Sequence, residues 1–173
     1  SLTLLVLLAA CTPQWQEIGP PVDTPHFTDK AFHTADGADL PLRIWLPWDK
    51  PLEASIIGLH GFNDYNRAFD APGKGLARRG FALYAFDQRG FGGAPQRGLW
   101  SSTDQMVDDL ATAAKLAKAT HPDKPVYLLG ESMGAAVMLA AITRHADMPV
   151  DGIILAAPAI WGWQTQSSLN RAV

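Results

Sequence analysis

The 173-residue chain is 47% hydrophobic and 18% charged with a net charge of −3, which allows a packed core and excludes a basic nucleic-acid footprint. Its single cysteine excludes an internal disulfide framework, and no cysteine–histidine cluster has zinc spacing, so no metal or cofactor is expected. The length fits one domain without internal repeats, though a small one for the fold derived next.

The chain begins at Ser1 inside an apolar run, Leu2 to Ala10, that ends at Cys11. A secretory signal has a basic start, an apolar middle and small residues before the cut, and here only the basic start is missing. The run is too short to span a bilayer, which takes ~20 residues. Leu8-Ala9-Ala10-Cys11 resembles the lipobox of bacterial lipoproteins, which implies that Cys11 carries acyl chains and becomes the mature N-terminus. Several acyl chains on one residue anchor a protein firmly. Thr12, standing where that pattern places Asp for inner-membrane retention, leans toward the outer membrane and a periplasmic-side location in the cell envelope. The alternative is a buried strand or helix that happens to end in cysteine. On the first reading, residues 1–10 are a signal-peptide remnant, 11–26 a lipidated tether, and 27–173 a partial domain. The sequence is expected to be cut at both ends.

Residues 12–26 hold Pro13, Pro20, Pro21 and Pro25 and show no periodic apolar pattern, as a tether would. Short strands are expected near Ala31–Thr34 and Leu42–Leu46, separated by the turn residues Asp36-Gly37-Ala38-Asp39. The next run, Ala54 to His60, is nearly all apolar, the pattern of a strand covered on both faces. A helix starts near Asp70 with Pro72 in its first turn and stops at Arg78-Arg79-Gly80. Phe81–Phe86 is the following strand. Ser102-Thr103-Asp104-Gln105 reads as a capping box, and Met106, Leu110, Ala113, Ala114 and Ala117 form one helical face. After the break at His121-Pro122 come a strand over Pro125–Leu129, an apolar helix over Met133–His145 expected to be buried, and a strand over Gly152–Ala157. Strands interleaved with such helices predict the α/β class, with a mainly parallel sheet flanked by helices.

In a parallel sheet, functional groups gather at the carboxyl ends of the strands. Three such ends stand out: Leu59-His60-Gly61-Phe62-Asn63-Asp64, Phe86-Asp87-Gln88-Arg89-Gly90-Phe91-Gly92, and Gly130-Glu131-Ser132-Met133-Gly134. In the third, Gly-x-Ser-x-Gly falls between a strand and a helix. A serine on so sharp a turn has its hydroxyl exposed above the sheet, and the next residue offers a backbone N–H to a developing oxyanion. Gly130 and Gly134 flank it because strand and helix approach too closely for a Cβ. Met133 starts the helix, so its N–H belongs to the unpaired donors at the positive end. Phe62 follows a glycine beyond a neighbouring strand, where the loop can bend over Ser132.

Standing in this order and spacing, the three motifs resemble the α/β-hydrolase superfamily, in its monoglyceride lipase/lysophospholipase-like branch of serine aminopeptidase S33 type. The resemblance covers roughly Phe27 to Trp161 and implies an incomplete α/β-hydrolase fold, from the N-terminal portion through about the sixth strand. It implies Ser132 as nucleophile and the backbone N–H groups of Phe62 and Met133 as the oxyanion hole. His60 and Gly61 shape the oxyanion loop, and Asp87 fixes the turn holding Arg89 and Gly90. The substrate is then a small lipid or other acyl ester.

That family's chain order, serine then acid then histidine, is not completed here. After Ser132 come only Asp147, Asp151 and His145, all around the start of the last strand and so expected at the opposite end of the sheet. The acid and base are expected beyond Val173, leaving these residues by themselves inactive. Ala157 to Trp163 leaves the last strand either as entry to a lipid-facing cap or as a loop packed on the domain. Two other readings remain: a non-catalytic lipid- or partner-binding lipoprotein, and an acyltransferase or amidase, because fold does not fix substrate. Oligomeric state has no signal in the sequence.

Overall fold

A computed structural model describes residues 14–160. Cys11, the signal-like run before it and the Trp161–Trp163 tail lie outside the described residues. The described chain forms one seven-stranded sheet in the order β1-β2-β3-β5-β4-β6-β7. In sequence these are β1 (His26–Phe27), β2 (Ala31–His33), β3 (Asp39–Trp45), β4 (Ala54–Leu59), β5 (Phe81–Phe86), β6 (Val126–Glu131) and β7 (Gly152–Ala156). Pairing is antiparallel from β1 to β3 and between β3 and β5, and parallel across β5, β4, β6 and β7. The expected α/β architecture is present.

Two edges differ from expectation. β3 begins at Asp39 instead of Leu42, because Pro41 is tolerated where Leu40 pairs with Phe32 and the turn closes through Thr34. The segment expected to be a free tether is partly docked. Trp15 bridges Trp100, the Gln16 N–H donates to the Trp100 carbonyl at 3.0 Å, and His26 already pairs with His33 in β1. Proline-rich composition lacks periodicity, so it did not reveal backbone groups that find partners on a distant loop.

Alternation along the strands sends side chains to two layers. Ile57, Leu59, Tyr84, Phe86 and Leu128 face α2 (Thr103–Thr120) and α3 (Met133–Arg144) in the larger core cluster. Ile56, Leu83 and Ala85 face the opposite layer, where Phe69 closes a 3-10 turn (Asn66–Phe69) ahead of α1 (Asp70–Ala77). All six residues of β4 are buried, as its unbroken apolar run requires. Each large side chain buried this way contributes ~1.5–3 kcal/mol.

α2 begins where Ser102 accepts the Gln105 N–H at 3.0 Å, a cap worth ~1 kcal/mol. The reciprocal half of the capping box is not made, since the Gln105 side chain donates to Asp109 instead. Small residues on the inner face of α2 (Ala111, Ala113, Ala114, Ala117) are all buried and let the helix lie close to the sheet. α3 is less enclosed than its composition predicts. Its first turns are mostly buried, but Ile142 near its end is 37% exposed.

The parallel strands are wound in two directions from β4. The chain crosses through α1 to β5 on one side, then through α2 to β6 on the other. The chain leaving β4 and the chain leaving β6 therefore run to opposite faces of the sheet, and it is at such a switch point that open α/β sheets bind ligands.

Candidate active site

Register brings the motifs together before any side chain is considered. Leu59 pairs with Gly130, and Glu131 with Ala156. Two residues beyond Leu59, Gly61 thus lies beside Ser132, and Ala157 lies on its other side. A Cβ built on Gly61 would sit 3.4 Å from the Ser132 Cβ, so the β4 loop does bend against the serine.

Ser132 itself has φ 49° and ψ −111°, a backbone conformation that non-glycine residues rarely adopt. Such strain costs ~1–3 kcal/mol and persists only where neighbours over-determine it. Here the Ser132 N–H donates to the Ala156 carbonyl at 3.0 Å, and the Ser132 carbonyl accepts from Ala136 at 3.2 Å and Ala159 at 3.0 Å. The flanking glycines are needed for the expected reason. A Cβ at Gly134 would lie 2.3 Å from the Leu59 carbonyl oxygen, and one at Gly130 2.7 Å from the Ala135 backbone. Asn63 (φ 62°) and Ala157 (φ 44°) share the left-handed region, so strained residues stand at the ends of three adjacent strands. Asparagine tolerates that region, a hint the sequence offered at Asn63; nothing marked Ala157.

The peptide between Gly61 and Phe62 is oriented from behind. Its carbonyl accepts from His60 Nδ1 at 2.8 Å and from the Asp64 N–H at 3.3 Å. In a trans peptide the N–H points opposite to the C=O, so the Phe62 N–H is turned away from His60. Neither that N–H nor the N–H of Met133 meets an acceptor among the described residues. The Ser132 side chain is half-buried and likewise makes no hydrogen bond among them.

His60 is fully buried and both ring nitrogens are engaged, Nδ1 donating to Gly61 and Nε2 accepting the Gln88 N–H at 3.0 Å. Burial holds its pKa below the ordinary histidine value, which keeps the ring neutral in that tautomer. It has no free nitrogen with which to take a proton. His145 donates to Asp108 at 2.9 Å, Asp147 pairs with Lys115, and Asp151 accepts the Val126 N–H at the start of β6. A six-residue strand at ~3.3 Å per residue separates that N–H from Ser132.

The Asp87 carboxylate accepts the Gly93 N–H at 2.8 Å, which closes the turn that contains Arg89 and Gly90, and also the Asn66 N–H at 2.7 Å, which ties the β5 loop to the 3-10 turn. Gly92 (φ 56°) folds so closely over it that a Cβ there would meet Oδ2 at 2.1 Å.

Arg89 is held by two carboxylates that sequence reasoning missed. It forms a bidentate pair with Asp36, both bonds 2.8 Å, and donates to Asp109 at 2.7 and 3.1 Å. The cluster ties the β2–β3 turn, the β5 loop and α2 together, with Arg89 and Asp109 each 5% exposed at the side chain. The Arg89 hydrogen bonds hold the Asp36 carboxyl down at about 2, whereas burial raises Asp109. Asp109 stood on the helix as one acid in a polar stretch, and Asp36 looked like an ordinary turn residue. Only three-dimensional closure gives them a common partner.

Residues 50–173 match the family described as Serine aminopeptidase, S33. The chain belongs to that family. Monoglyceride lipase of Rattus norvegicus is 33% identical over 143 residues, which is 82% of this chain and 45% of that protein. The chain thus spans less than half the length of this curated relative. A thermostable carboxyl esterase from Bacillus coagulans superposes with TM-score 0.66 at 24% identity, covering 76% of this chain and 44% of that one. A soluble variant of monoglyceride lipase from Saccharomyces cerevisiae, solved with a substrate analog, gives TM-score 0.64 at 20% identity over 85% of this chain and 48% of that one. Both structures share the α/β-hydrolase fold with this family member. The described residues contain no group of three or more His, Cys, Asp or Glu suited to a metal ion, and no helix long and apolar enough to cross a membrane.

Proposed function

We propose that this chain carries the nucleophile and oxyanion hole of a serine hydrolase acting on acyl esters of the monoacylglycerol or lysophospholipid kind. One observation carries the reading: a strained serine at the switch point whose hydroxyl, like the backbone N–H groups of Phe62 and Met133, has no hydrogen-bond partner among the described residues. Family membership and the lipase named among the relatives support it.

In the proposed reaction, Ser132 Oγ attacks the ester carbonyl carbon and its proton passes to a histidine base. The carbonyl oxygen becomes an oxyanion that accepts from Phe62 and Met133. Collapse breaks the bond to the alcohol, which leaves with the proton from the histidine. Water, deprotonated by the same base, then releases the acid from Ser132. None of the five histidines is placed to be that base. The acid and base belong, on this reading, to the part of a full-length form that these residues do not include, and the 173 residues alone are inactive.

The test uses the full-length protein. A fluorophosphonate probe should label Ser132, and Ser132→Ala should abolish the labelling. A folded protein labelled elsewhere, or not at all, overturns the assignment and favours the non-catalytic reading. An ester, amide and acyl-acceptor panel separates hydrolase from amidase and acyltransferase. We further propose that residues 1–10 are a signal remnant and that acylated Cys11 anchors the domain to a bacterial envelope membrane. Metabolic labelling with an alkynyl fatty acid, absent in Cys11→Ala, checks this.

A further inference from the structure

A cavity of about 390 Å³ lies between the N-terminal segment and the β2–β3 turn, with Asp36 and Arg89 in its wall. Its one cation, Arg89, is spent on Asp36 and Asp109, and the other charged residues of its wall, Glu17 and Asp39, are exposed carboxylates. A smaller cavity of about 210 Å³ differs in both chemistry and place. Phe62, Phe91, Leu99 and Trp100 form its walls, with Asn63 at one side and glycines at positions 90 and 98. The Phe62 ring meets Phe91 edge-on at 5.4 Å and lies 6.5 Å from Trp100, while Phe91 and Trp100 stand at 89° with centroids 6.2 Å apart. Phe91 is buried and Phe62 is 63% exposed, so the slot has a closed floor and an open mouth.

Its outer wall is fixed and not a chance gap between mobile side chains. The Gln16 side chain donates to the Leu99 carbonyl at 2.9 Å and its backbone N–H to the Trp100 carbonyl at 3.0 Å. Gly90 packs so tightly under this wall that a Cβ there would lie 2.2 Å from the Leu99 carbonyl oxygen.

We infer that this aromatic slot is the subsite for the apolar arm of an ester bound at Ser132, an inference that rests on the nucleophile reading above. Phe62 belongs to both places. Its backbone N–H lies on the loop against Ser132, and its ring is a wall of the slot. A carbonyl held at that N–H therefore sits one residue from the slot mouth, and a substituent following the Phe62 ring enters it. At ~30 Å³ per small group, a volume of 210 Å³ takes roughly seven heavy atoms. The slot offers no charge and is walled mainly by aromatic and aliphatic side chains, so it favours hydrocarbon over a charged arm.

The arm can be the acyl chain or the alkoxy chain, and two ester series distinguish them in the full-length protein. One varies the acyl chain of 4-nitrophenyl esters from two to twelve carbons; the other varies the alcohol of acetate esters over the same range. In the series that uses the slot, kcat/KM should rise about fourfold per carbon and level off after roughly seven. Leu99→Trp, which fills the slot, should bring the plateau several carbons earlier and lower the ratio of long-ester to short-ester kcat/KM. Trp100→Ala should move it later. If either variant scales short and long esters by one factor in both series, the inference is wrong. A readout without turnover keeps it testable if Ser132 is no nucleophile: a dansyl-labelled octyl chain, followed by anisotropy, should bind about tenfold more weakly to Leu99→Trp. Equal binding to the two proteins, each with an intact circular-dichroism spectrum, also overturns it. Failure of the nucleophile reading is distinct, since it removes fluorophosphonate labelling and all ester turnover together.

Discussion

Beyond the carboxyl ends of β5 and β6 stand two polar clusters built on opposite rules. Around Arg89, every charged group has a hydrogen-bond partner: four hydrogen bonds join one guanidinium to Asp36 and Asp109, and Gln105 supplies a further donor to Asp109. Around Ser132, the hydroxyl and the N–H groups of Phe62 and Met133 are left without partners among the described residues, and the serine backbone is strained. Unmatched polar groups cost stability and are available for chemistry; matched ones hold elements together and are not.

The strongest test of this contrast is Ser132→Ala in the full-length protein. Ester turnover should fall by ~10⁴-fold or more, while stability by urea denaturation should change by less than ~1 kcal/mol. A large loss of stability would mean that the serine turn is a structural element. Arg89→Leu should do the reverse. It leaves Asp36 and Asp109 buried without their cation, and urea denaturation should report a loss of ~3–5 kcal/mol.

Acid separates the clusters further. His60 has its folded pKa depressed by burial, so its contribution is full above the ordinary histidine value of ~6.5 and is lost as pH falls below it. Asp36, held at about 2 by Arg89, adds a second loss as pH falls from ~4 toward that value. Asp109 works against it, since a carboxyl raised by burial favours the folded state when protonated. Thermal melts should therefore show Tm falling below about pH 6.5. His60→Gln should flatten that first limb, and an unchanged limb would relieve His60 of its role as a neutral brace. The smallest effect belongs to Gln16→Ala, which removes one half-buried hydrogen bond to the Leu99 carbonyl and should cost ~1 kcal/mol. Its sharper signature is a loosened slot wall, read as a blurred chain-length plateau.

Much of this was legible in the residues because it depends on local rules. The all-apolar run Ala54–Leu59 could only be a strand covered twice, and Gly130 and Gly134 marked a close crossing wherever the strand and helix went. The build of the loop after β4 was legible through family likeness more than through pattern, since nothing local says that His60 will be locked by Gly61 and Gln88. The docking of Gln16 on Leu99 was invisible, for it joins residues 83 positions apart with no periodic signal.

By itself, then, the sequence determined the element order, the sharp serine turn and the absence of any disulfide framework, because steric and hydrophobic constraints act over a few residues. Tertiary structure decided which polar groups are saturated and which stay open. Asp36, Arg89 and Asp109 find one another only when a turn, a loop and a helix converge, and Gly61 reaches Ser132 only through the pairing of β4 with β6. Hydrogen-bond satisfaction is a property of closed three-dimensional neighbourhoods, and no window along the chain contains one.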